Sequence, residues 1–134
     1  MEDVLVVDDD NTMLEVIKRI LACDGIVAHC VSSGAEALVK MKERSFPLMI
    51  TDLDMPGLNG LELARQGLEI APLMRIIMDT GGISQTNVQL AMEIGISKIV
   101  SKPFLPDEML EIVRGLMGAK ELPCTWELRG EVCC

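Results

Sequence analysis

Aspartates, a threonine and a lysine stand at the ends of short apolar runs, and together they suit the chemistry of a divalent cation and a phosphoryl group. Val4 to Val7 (VLVV) lead into Asp8, Asp9 and Asp10. Leu48 to Ile50 lead through Thr51 into Asp52, Ile76 to Met78 through Asp79 into Thr80, and Ile99-Val100 through Ser101 into Lys102. Adjacent carboxylates repel, and a hard cation held by carboxylates, water and phosphate oxygens offsets that cost. An aspartate at the end of a buried strand can attack phosphorus to give an acyl phosphate. A threonine hydroxyl can donate to a phosphoryl oxygen, and a lysine ammonium supplies a point charge for phosphate. Taken singly, each residue has a plain structural role. Asp10, with Asn11, precedes a helical pattern and suits its N-cap. Thr80 is a β-former, Lys102 an ordinary surface lysine, and Asp52 a common loop aspartate.

These side chains gain meaning if one architecture gathers them. Strands are predicted at Asp3 to Val7, Ile26 to Val31, Pro47 to Thr51, Met74 to Met78 and Lys98 to Ser101. Helical spacing fills the gaps. Met13, Ile17, Ile20 and Leu21 share one face before Gly25 stops the helix. Ser33-Gly34-Ala35-Glu36 reads as a capping box ahead of Ala37, Leu38 and Met41. A third helix, near Leu61 to Leu68, is poorly marked because Gly67 weakens it. A fourth runs from Ser84 to Ile94, with Val88, Ala91 and Met92 inward and Gly95 as its stop. In the fifth, Pro106 suits the first turn, and Met109, Ile112, Val113 and Leu116 form the stripe. Strand-helix alternation with near-continuous apolar strands predicts an α/β fold: a doubly wound (βα)5 parallel sheet of flavodoxin-like order 2-1-3-4-5, in part by analogy. That order sets strands one and three side by side at the switch point, so Asp8, Asp9 and Asp52 converge there. Pro103 allows a cis bond after Lys102 at modest cost, aiming the lysine inward.

Composition narrows the classes. A chain of 134 residues has the length of one domain and can bury a core without staples. Net charge is −9 with no basic cluster, which argues against nucleic-acid binding. No stretch is long and pure enough to span a bilayer, and Glu2 and Asp3 place charge where a signal peptide would begin; the expected location is cytoplasmic. Cys23, Cys30, Cys124, Cys133 and Cys134 fit no zinc spacing and are expected as reduced thiols. The ten methionines are expected to fill core gaps. His29, the sole histidine, lies in the second strand and is expected to be structural. The pattern ends after Gly118. Residues 1–118 are expected to form the domain and 119–134 a tail with no second domain, in which Trp126 is either loosely packed or docked on this domain or a partner.

VLVVDDD, ITDLDMPGLNG, MDTGG and VSKPF, in this order, resemble the receiver domain of two-component response regulators (CheY-like) over about nine-tenths of the chain. The resemblance implies that Asp52 is the phosphoacceptor, that Asp8 and Asp9 bind Mg²⁺ with Asp52, and that Asp54 contributes its backbone carbonyl to the metal. It implies that Thr80 is the switch hydroxyl and Lys102 the phosphate-pairing lysine. It also implies a histidine kinase or phosphotransfer protein as phosphoryl donor and a downstream protein as target. Such a protein is a signalling phosphoacceptor rather than an enzyme. With no second domain expected after residue 118, no DNA-binding output is expected and the output is expected to be a protein contact, with neither nucleic acid nor membrane as partner and the protein a monomer or weak dimer.

Two positions depart from that pattern. Ile99 stands where receivers commonly carry an aromatic switch residue. Asp79 takes a place usually apolar; it is expected to face solvent, because a buried unpaired acid is costly, or else to disfavour the phosphorylated form. Two other readings stand beside the first. One is a receiver-like interaction module that takes no phosphate. The other is a Mg²⁺-dependent aspartyl phosphatase of haloacid-dehalogenase type, since Asp52-Leu53-Asp54 matches its Asp-x-Asp fragment; there the motif usually sits on the first strand and continues with a hydroxyl or β-branched residue, whereas Met55-Pro56 follow here.

Overall fold

The computed structural model describes residues 3–117. The expectations placed on Trp126, on residues 118–134 and on their cysteines lie outside the described residues. Strands and helices alternate as β1 (Asp3–Val7), α1 (Asn11–Ala22), β2 (Val27–Val31), α2 (Gly34–Glu43), β3 (Leu48–Asp52), α3 (Gly60–Ile70), β4 (Arg75–Thr80), α4 (Gln85–Ile94), β5 (Lys98–Ser101) and α5 (Pro106–Leu116). The strands form one parallel sheet in the order β2-β1-β3-β4-β5. This is the flavodoxin-like order expected from the sequence.

Both faces of the sheet are covered, which is why its central strands are apolar at nearly every position. Period-two alternation divides them. Val4, Val6, Leu48, Ile50, Ile77 and Val100 pack with Leu14, Ile17 and Leu21 of α1 and Met109, Leu110 and Val113 of α5. Leu5, Val7, Met49 and Ile76 face the other way, onto Ala37 and Met41 of α2 and Leu63 and Ala64 of α3. Met78 on that face meets Leu53, Leu61 and Ala91 of α4.

Local signals set the helix ends. The Asp10 carboxylate accepts from Thr12 N–H at 2.9 Å and caps α1, the bland role expected for it. Ser33 Oγ accepts from Glu36 N–H at 3.2 Å, while the Glu36 carboxylate reaches back to Ser32 N–H at 2.9 Å. Gly95 ends α4 in the left-handed region at φ 107°, where a side chain would be strained.

Two expectations are corrected here. Met92, assigned to the inner face of α4, is 71% exposed. Only Ala91 of that helix is fully buried, because α4 touches the sheet through a small residue and not through a full stripe. Cys23 is disulfide-bonded, so the expectation of reduced thiols throughout does not hold, although Cys30 is a free thiol. His29 has the structural role expected of it: Nε2 lies 3.1 Å from Asp3 Oδ2, and the ring meets Phe46 edge-on.

Candidate functional site

The alternation that buries Val6, Ile50 and Ile77 on the α1/α5 face carries two residues further to Asp8, Asp52 and Asp79. Sheet register puts them level. Asp52 pairs with Asp79 across β3 and β4, and Val6 with Ile50 across β1 and β3, so Asp8 falls beside Asp52. One carboxylate oxygen of each lies within 4.8 Å of the others, and all three residues are buried. Lys102 follows Val100 by two and reaches the same cluster. Its Nζ donates to Asp52 Oδ1 at 3.2 Å and lies 3.7 Å from Asp8 Oδ2. The Lys102-Pro103 peptide bond is cis.

The loop after Asp52 is tied down on both sides. Leu53 N–H donates to the Asp79 carbonyl at 3.2 Å, and Gly60 N–H to the Leu53 carbonyl at 2.9 Å. A Cβ at position 60 would collide with the Asp52 carbonyl oxygen and come within 2.9 Å of Leu53 Cα. A glycine is therefore required for the first turn of α3 to sit against the phosphoacceptor candidate. Asn59 caps that helix, its Oδ1 accepting from Glu62 N–H at 2.9 Å.

Thr80 points to the other face, as Met78 does. It is buried, and its Oγ1 donates to the Gly82 carbonyl at 2.8 Å while accepting from Gly82 N–H at 3.2 Å. The hydroxyl thus closes the turn that opens the loop to α4.

Electrostatics at the cluster are unbalanced. Asp8 Oδ1 accepts from Asp10 N–H at 2.9 Å. Asp8 Oδ2 and both Asp79 oxygens are buried with no hydrogen-bond partner. Burial raises the Asp8 carboxyl above the ordinary range, an effect that the Asp10 N–H and Lys102 only partly oppose. Asp79 is pushed up to about 7, chiefly by burial, with Lys102 opposing and the Asp8 and Asp52 charges adding. For Lys102, burial favours the neutral amine, but Asp79, Asp52 and Asp8 together outweigh it and hold the ammonium above its usual range. Hard carboxylate oxygens left without partners, in numbers exceeding one lysine, are the donor set of a divalent cation such as Mg²⁺.

Of the residues expected at the site, Asp8, Asp52 and Lys102 are brought together, and Thr80 ends the neighbouring strand. Asp9 is exposed and outside the buried group, and the Asp54 side chain is exposed. The expectation that Asp79 faces solvent is wrong: it is 1% exposed. The signal was present in the register. A sheet buried on both faces gives the end of β4 no outward side, and position 79 is level with position 52.

Residues 4–114 match the response regulator receiver domain family, and the chain belongs to it. The chain is 32% identical over 118 residues to the DNA-binding response regulator MtrA of Mycolicibacterium smegmatis, covering 88% of this chain and 51% of that protein. It thus spans about half the length of such curated relatives. Among solved structures, a receiver domain protein from Clostridium thermocellum is 32% identical with a TM-score of 0.83, covering 91% of this chain and 98% of that one. A CheY-like receiver domain protein from Methanospirillum hungatei is 29% identical with a TM-score of 0.86, covering 90% and 97%. Phosphorylation and Mg²⁺ are general features of this family. Among the described residues, no helix is long and apolar enough to cross a membrane.

Proposed function

We propose that this protein accepts a phosphoryl group on Asp52 from the phosphohistidine of a kinase or phosphotransfer protein and reports that event by changing its contacts with a downstream protein. The observation that carries the reading is the Lys102 ammonium 3.2 Å from Asp52 Oδ1, beside Asp8 at the ends of neighbouring strands. Asp52 is 7% exposed, so it sits at the mouth of the sheet edge, where an incoming phosphorus can approach.

Asp8, Asp9 and Asp52, with the Asp54 carbonyl, would hold Mg²⁺. Bound there, the ion supplies positive charge to the phosphoryl oxygens. An Asp52 carboxylate oxygen attacks phosphorus in line as the P–N bond to the donor imidazole breaks. The donor imidazole, protonated on its other ring nitrogen, leaves as neutral histidine, and Asp52 becomes an acyl phosphate. Lys102 exchanges its bond to Asp52 Oδ1 for one to a phosphoryl oxygen and keeps its charge within reach of the new dianion. Thr80 gives up its bond to the Gly82 carbonyl and donates to another phosphoryl oxygen. The loop to α4 is then released from its present turn, which biases a two-state equilibrium of the α4, β5 and α5 surface. Ile99 on β5 supplies apolar bulk to that movement without a phenol. The readout is a contact with protein, in keeping with a net charge of −9, and the protein works as a cytoplasmic monomer or weak dimer.

Phosphoryl transfer from a radiolabelled phosphohistidine donor tests this reading. Label is expected on the wild type, is expected to be absent from Asp52→Asn, and is expected to accumulate about a hundredfold more slowly on Lys102→Ala. Equal labelling of wild type and Asp52→Asn would overturn the assignment. A wild type that takes no label from any donor would leave only a receiver-like interaction module.

A further inference from the structure

Phosphoryl transfer makes no use of Asp79, and yet both of its carboxylate oxygens are buried without a hydrogen-bond partner. A carboxylate that is 1% exposed, with neither oxygen bonded to a donor, gives up its hydration and gains only the partial offset of the nearby Lys102 charge. It is not an isolated fault in packing. Its oxygen lies within 4.8 Å of oxygens from Asp8 and Asp52, and one Asp8 oxygen is likewise buried without a bond. Lys102 is the ammonium that faces this group, and its one hydrogen bond there goes to Asp52 Oδ1. Three carboxylates set against one ammonium leave two negative charges over, the charge of one divalent cation.

We propose that Asp79 is a direct ligand of the divalent cation, so that the buried carboxylates at the ends of β1, β3 and β4 share it. This inference rests on the Asp8, Asp9 and Asp52 cation site of the proposed function and adds a ligand to it. Position and chemistry both qualify Asp79, which is a hard oxygen donor at the tip of the strand next to β3, level with Asp52. Its unbonded oxygens account for the site's uncompensated burial, since a coordinated carboxylate is no longer an unpaired buried charge. The added anionic ligand has a second consequence. Mg²⁺ is usually held by one or two carboxylates and keeps several waters, whereas Mn²⁺ and Ca²⁺ accept more protein oxygens. The site should therefore favour Mn²⁺ over Mg²⁺ more strongly than a site lacking Asp79, because one more water must be surrendered.

Calorimetric titration of the full chain with Mg²⁺ and with Mn²⁺ separates the possibilities. It needs the wild type, Asp79→Asn, Asp79→Val and, as a control at a ligand of the proposed function, Asp8→Asn. Expected is a loss of affinity of about tenfold or more for both ions in both Asp79 variants, larger for Mn²⁺ than for Mg²⁺. Water-proton relaxation of bound Mn²⁺ gives a second readout. Wild type should hold one inner-sphere water fewer than Asp79→Val. Asp79→Asn is isosteric and Asp79→Val restores an apolar side chain, so neither introduces a new buried charge. Affinities of the Asp79 variants close to wild type, with Asp8→Asn strongly weakened, would overturn the ligand assignment and leave the cation site intact. No binding of either ion to the wild type would overturn both. An equal inner-sphere water count in wild type and Asp79→Val would also overturn the assignment.

Discussion

At Asp79 the folded chain holds a carboxyl at about 7, far above the 3.8 of an unperturbed aspartate, and that difference has a sign in stability. Between those limits the folded state binds a proton that the unfolded state has lost, so stability falls as pH rises through the interval. Below it both states are protonated and the penalty vanishes; above it the penalty is complete. Lys102 softens the effect, and the Asp8 and Asp52 charges deepen it. Urea unfolding in EDTA should therefore show Asp79→Asn more stable than wild type at about pH 8, on the order of a few kcal/mol. The advantage should shrink toward zero at about pH 4. An advantage that is constant with pH would mean that Asp79 titrates alike in the folded and unfolded protein. Adding Mn²⁺ at the higher pH should narrow the gap, because a ligand that binds only the folded state stabilises it by mass action.

At the scale of elements, the site is held by the way α3 starts. Gly60 lets the first turn of that helix lie on the backbone of Asp52 and Leu53, and the Leu53 carbonyl accepts from Gly60 N–H. A methyl group there would meet backbone, which cannot swing aside as a side chain does. Gly60→Ala is accordingly expected to cost about 1–3 kcal/mol in urea unfolding and to slow phosphoryl uptake through displacement of the Asp52 loop. An unchanged unfolding midpoint would contradict the packing argument. Gly67 teaches a related lesson. In the sequence it weakens the third helical pattern, which reads only near Leu61 to Leu68. In the fold the helix runs to Ile70, and position 67 is where Met41 of α2 comes within 3.1 Å of a would-be Cβ. The residue that blurred the propensity signal is the one that lets α2 and α3 approach. Propensity is local, whereas close approach is set by the partner helix.

For the molecule as a whole, alternation and apolar strands were enough to predict the sheet, because a parallel sheet covered on both faces admits few arrangements. Strand order came partly by analogy, since periodicity does not encode which strands adjoin. Asp8, Asp52 and Lys102 were legible as a cluster because each ends a run on the same face. Asp79 was visible but misplaced. Its cost as a buried acid argued for solvent, and only strand register reveals that its side is already enclosed. Met92 was misplaced for the opposite reason: its apolar character suggested burial, whereas α4 rests on Ala91 and leaves Met92 in solvent. Both misses arise where the chain departs from the cheapest packing, and such departures gather at functional surfaces.

The most direct test of the central claim is the intact mass of the full chain after incubation with acetyl phosphate and Mg²⁺. The account predicts one phosphoryl addition on the wild type, suppressed by EDTA and absent from Asp52→Asn. An adduct that persists in Asp52→Asn, or a wild type whose mass never changes, would contradict it.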